Sequence, residues 1–116
     1  MRHRKGNRKL GKPTDQRIAL LSGIALSLLK NGKIITSKHR AKEARKIVEK
    51  IVALSKKGGL FALRKSIALI RDKETVQEFF KSAPERFKDN AGGITRITNV
   101  GLRRGDNADM VVLELI

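Results

Sequence analysis

Apolar residues recur at helical spacing through most of the chain and give way to β-branched runs near its C-terminus. Ile18, Leu21, Ala25, Leu28 and Leu29 keep one helical face, and Leu20, Ile24 and Leu26 widen it. This spacing predicts a central, largely buried helix with Thr14 as N-cap, Asp15 against the dipole and Asn31-Gly32 as the stop. Lys33 to Thr36 follows as a short strand. Ser37 then caps a second helix running to Gly58-Gly59, in which Ala41, Ala44, Ile47, Val48, Ile51, Val52 and Leu54 share a face. Leu60, Leu63, Ile67 and Ile70 predict a third helix. Val76, Phe79, Phe80 and Ala83 predict a fourth, capped by Asp72 and stopped before Pro84. Beyond Gly92-Gly93, Ile94 to Val100 and Met110 to Ile116 read as strands joined by a long hairpin loop from Gly101 to Asp109. With no internal repeat or interdomain linker, the expectation is a single α+β domain over residues 13–116.

Residues 1–12, MRHRKGNRKLGK, break the pattern. Leu10 is their only sizeable apolar side chain after Met1, and no acid balances the cations, so this segment is expected to be a flexible basic arm. Charge sharpens the picture. The 116-residue chain carries 27 Lys and Arg against 11 Asp and Glu, a net of +16. A small domain needs a net charge of only about 2 to 8 for solubility. Nineteen basic and three acidic residues fall in 1–65, whereas 66–116 holds eight of each, so the first half carries the whole excess. A polyanion, and specifically a nucleic acid, is the natural partner.

Three basic constellations stand out. Arg2, His3, Arg4, Lys5, Arg8, Lys9 and Lys12 make the arm a phosphate-neutralising tail. On the second helix Lys38, Lys42, Arg45, Lys46 and Lys50 lie opposite the apolar face, interrupted by Glu43 and Glu49. Lys38, His39 and Arg40 crowd its first turn, where the dipole favours acids, so they are expected to serve a phosphate outside the helix. Arg103 and Arg104 sit between Gly101 and Gly105 in the hairpin loop. They either clamp phosphate or simply pair with Asp106 and Asp109.

Other functions find no support. There is no cysteine, which excludes disulfides and thiolate sites, and no Walker or GxGxxG loop. His3 and His39 sit among cations, which discourages a metal. No cofactor, no small-molecule substrate and no enzyme activity is expected. With no Trp or Tyr, and with most of the four phenylalanines needed for packing, an aromatic single-strand reader is not expected; folded shape and phosphate position should govern binding. The arm and the apolar run Ile18 to Leu29 have the outline of a targeting signal. That run leads into Lys30-Asn31-Gly32-Lys33 instead of a small-residue cleavage site, and it is too short to span a bilayer. No membrane role is expected. A DNA-compacting protein shares the charge but would normally show a groove-entering element or dimer seam.

Three stretches carry a family resemblance: the opening MRHRKGNRKLGK, ITSKHRAKEAR from Ile35, and GGITRI with RRGDNADMVVLELI at the end. Together they resemble bacterial large-subunit ribosomal protein seventeen over essentially the whole chain. The resemblance implies a cytoplasmic protein of the large ribosomal subunit, with helices packed on a small mixed sheet. Its implied partners are ribosomal RNA near the exit of the nascent-peptide tunnel and neighbouring ribosomal proteins. It implies RNA contacts for Arg2, His3, Arg4, Lys5, Arg8, Lys9, Lys42, Arg45, Arg96, Arg103 and Arg104. The chain departs from the family pattern at Gln16-Arg17 and Ser22-Gly23, where His-Arg and Arg-Asn pairs are usual, and at Ile94, where an aromatic is usual.

Overall fold

A computed structural model describes residues 10–89 and 93–116. These form helices α1 (Thr14–Asn31), α2 (Lys38–Lys57), α3 (Gly59–Ile70) and α4 (Lys73–Arg86), and strands β1 (Lys33–Ser37), β2 (Thr95–Leu102) and β3 (Asp109–Leu115). The expected α+β architecture is present. Arg2, His3, Arg4, Lys5, Arg8 and Lys9 of the arm lie outside the described residues.

α2, not α1, is the central helix. It packs against every other helix and strand, and Ala41, Ala44, Val48, Ile51 and Val52 are buried along it. α1 buries only Ser22, Ala25 and Leu28 and leaves Ile18 47 % exposed. Its apolar surface is wider than its partners can cover, so part of it lines surface clefts. Pro13 occupies the N-cap of α1 in place of Thr14 and supplies no side-chain acceptor; its φ of −58° leads directly into the helix. Asp72 caps α4 as expected, accepting from the Thr75 backbone N–H at 3.1 Å.

α4 passes through Pro84 and ends two residues later. The proline costs the Phe80 carbonyl its partner, but the Phe87 N–H reaches the Ala83 carbonyl at 3.0 Å and carries the turn across. Ala83 and Phe87 are fully buried on either side, and Phe87 stacks at a tilt with Phe79, ring centroids 6.4 Å apart. Packing therefore overrides the break. Of the four phenylalanines, Phe79 and Phe87 are buried and Phe80 half-buried, whereas Phe61 is exposed.

The sheet has the order β1-β3-β2 and is antiparallel throughout, not mixed. β1 and β2 run in the same direction, but β3 lies between them, so no parallel pair is ever hydrogen-bonded. Val111, Leu113 and Leu115 alternate inward from β3 onto the helices, as a period of two requires. In β2 a bulge leaves Val100 without a partner between Asn99 and Gly101. The strands also extend further than their composition suggests. The connecting loop is only Arg103 to Ala108, closed by Arg103 N–H to the Ala108 carbonyl at 2.9 Å and Asn107 N–H to the Arg103 carbonyl at 3.0 Å.

Candidate nucleic-acid interface

The cationic face of α2 follows from helical geometry. At 100° per residue Lys38, Lys42, Arg45, Lys46 and Lys50 fall on the side away from the core, and all are exposed or half-buried. The two acids nearby act as anchors. Glu43, only 4 % exposed, accepts from Lys46 Nζ at 3.2 and 3.3 Å. Glu49 accepts from Arg45 Nε at 3.2 Å and from Thr95 Oγ1 at 3.2 Å, tying α2 to β2. Because Arg45 engages Glu49 through Nε, the terminal edge of its guanidinium remains available to an outside acceptor. At the start of α2, Ser37 sits at the N-cap but its hydroxyl makes no capping bond, and the first turn holds no acid. Lys38, His39 and Arg40 form no ion pair among the described residues, and neither does Lys42.

Register decides which cations meet. Ser37, the last residue of β1, lies opposite Met110, and Leu102 lies opposite Asp109. The first turn of α2 and the Arg103–Ala108 loop therefore emerge at the same end of the sheet. Within that loop Arg103 donates from Nε to Asp106 Oδ1 at 3.1 Å and from Nη2 to Oδ2 at 2.5 Å. The bond from Arg103, helped by the Ala108 backbone N–H, lowers the Asp106 carboxyl to about 2. The same bond raises the Arg103 guanidinium above its usual value. Of the two loop arginines, Arg103 thus takes the internal pairing, while Arg104 is exposed and forms no ion pair among the described residues. Arg96 belongs elsewhere. It lies on the outer face at the opposite end of the sheet, 3.5 Å from Glu114, with Lys33 on the other flank of the same carboxylate.

This surface offers spaced cations and no metal-ligand cluster among the described residues. No helix among the described residues is long and apolar enough to cross a membrane. Comparison with known proteins is decisive about kinship: a family profile described as ribosomal protein L17 matches residues 20–116. The chain belongs to the ribosomal protein L17 family. Among curated relatives, "Large ribosomal subunit protein bL17" of Clostridium botulinum strain Hall is 47 % identical over 111 residues, covering 96 % of this chain and 98 % of its own. The protein of the same name from Clostridium perfringens strain SM101 is 46 % identical over the same span.

In this L17-family chain the packing adds a cation that residue patterns miss. Arg17 of α1 faces Lys46 and Lys50 of α2 across a surface cleft. No periodicity within α1 marks it, since its neighbours Ile18 and Leu21 read as core. Only the docking of α1 on α2 brings it to the basic face. Lys12, half-buried ahead of α1, is the one arm cation within the described residues.

Proposed function

We propose that the chain holds folded large-subunit ribosomal RNA by phosphate neutralisation, in the position near the peptide exit tunnel that the family resemblance implies. The coarser role follows from family membership and from the curated names of its relatives: it is a structural protein of the large ribosomal subunit, from a family that is not an enzyme family. The observation that carries the finer reading is the meeting of Lys38, His39, Arg40 and Arg104 at one end of the sheet, beside an α2 start without a side-chain cap. Cations there replace counterions where RNA strands crowd each other, and the exposed N–H groups of the first turn favour a phosphate oxygen. Lys42, Arg45 and Lys46 extend the contact along α2, and Lys12 adds to it from ahead of α1. Arg2, His3, Arg4, Lys5, Arg8 and Lys9 extend it through the arm, Arg103 adds to it from the hairpin loop beside Arg104, and Arg96 adds a second region at the opposite end of the sheet. Neighbouring ribosomal proteins complete the surroundings.

Filter binding of the full chain to large-subunit ribosomal RNA tests this reading. If about 6 to 10 phosphates are neutralised, affinity falls about 10³ to 10⁵-fold between 50 and 200 mM salt. Salt-insensitive binding, or equal affinity for random duplex DNA, overturns it.

A further inference from the structure

The cleft between α1 and α2 combines features that the rest of the basic face lacks. Its volume is about 410 Å³, and three cations, Arg17, Lys46 and Lys50, stand around it. Its floor is aliphatic: Leu21, Ile47 and Leu69 are half-buried there and continue into the core. Glu43 lines it too, buried and bonded to Lys46 through both carboxylate oxygens. A phosphate backbone alone needs no apolar floor, and an apolar peptide gains nothing from three cations. Positive charge around an aliphatic recess complements an anion covalently joined to a flat apolar group.

Resting on the RNA-binding reading above, we infer that this cleft receives one unstacked nucleotide of the bound RNA, its base against the aliphatic floor and its phosphate at Arg17 and Lys50. Recognition of RNA outside its helices works on splayed bases that insert between side chains. The volume suits one nucleotide, lying near the lower end of ordinary ligand pockets, about 300 to 1,000 Å³. Glu43 sets the orientation. Its buried carboxylate repels phosphate and holds Lys46 in place, so the anionic end of the nucleotide stays outward and the base points inward. Among the described residues no aromatic ring lines the cleft, and the planar guanidinium of Arg17 offers a flat polar surface for stacking.

The test uses the full chain with p-benzoyl-phenylalanine in place of Ile18, which lines the cleft and is exposed enough to accept it. Irradiation on large-subunit ribosomal RNA, followed by primer extension, is expected to give one dominant crosslink, at a nucleotide unpaired in the RNA secondary structure. Lys50→Glu is expected to cut the yield at that nucleotide about tenfold or more, whereas Lys57→Glu, at the far end of α2, leaves it unchanged. As a check free of the unnatural residue, Arg17→Gln should lower the salt slope of binding by about one and expose the same nucleotide to base-modifying reagents. If the unsubstituted chain binds RNA with no salt dependence, both readings fall. Salt-dependent binding with crosslinks only to paired nucleotides, only to polypeptide, or to nothing overturns the cleft assignment alone.

Discussion

Arg103 and Asp106 illustrate how one pair of side chains sets a testable pH dependence. The folded carboxyl lies at about 2, below its ordinary 3.8, so the pairing contributes fully above pH 3.8 and is lost as pH falls through about 2. Carboxyl chemical shifts of Asp106 should therefore titrate near pH 2 in the native chain and move back toward 3.8 in Arg103→Gln. Ser66 makes a different point. Its hydroxyl is fully buried in α3 and makes no hydrogen bond among the described residues. Ser66→Ala should stabilise the fold by about 1 kcal/mol in urea unfolding, since an unpaired buried hydroxyl costs about 1 to 3 kcal/mol. The identity of the cations was legible residue by residue, because charge is a property of the side chain. Their pairing was not. Arg45, Lys46 and Arg103 are engaged by Glu49, Glu43 and Asp106, whereas Arg40 and Arg104 are not, and spacing alone does not separate the two groups.

Element boundaries divide along similar lines. The apolar periods of α2 and α4 and the alternation in β3 match the structure because each is a local consequence of backbone geometry, whereas α3 turns Ala62, Ser66 and Ile70 inward and leaves Leu60 60 % exposed. The proline in α4 and the cap of α1 differ because flanking packing decides them. Two glycines test the local rules in opposite directions. Gly58 alone separates α2 from α3, with φ 68° and ψ −174°, a region open essentially to glycine. Gly58→Ala should cost about 1 to 3 kcal/mol by chemical denaturation, purely from backbone strain, as an added methyl would meet no atom within 4 Å. Gly23 is exposed within α1, and a methyl there also meets nothing within 4 Å. Gly23→Ala should instead stabilise by about 0.5 to 1 kcal/mol, chiefly by restricting the unfolded chain.

For the molecule as a whole, the arrangement of the sheet turns scattered cations into a surface. His39 and Arg104 are far apart in the chain yet share one end of the sheet, while Arg96 lies at the other. The chain has no cysteine, so each engineered thiol is unique. Iron tethered at His39→Cys and at Arg104→Cys should direct hydroxyl-radical cleavage to overlapping stretches of ribosomal RNA, and iron at Arg96→Cys to a separate stretch. Cleavage patterns from His39→Cys and Arg104→Cys with no nucleotide in common would contradict a shared binding surface.

Periodicity and composition were enough to establish an α+β chain with a basic first half, since both depend only on near neighbours and on side-chain type. They also pointed to a polyanionic partner, because +16 on so small a chain has no other economical explanation. The centrality of α2, the position of β3 between β1 and β2, the bonding of particular cations and the placement of Arg17 beside Lys46 and Lys50 came from the folded arrangement. Each depends on which distant segments touch. Strand register and helix docking are settled by burying the apolar faces together, and the charged residues are carried to wherever that packing leaves them.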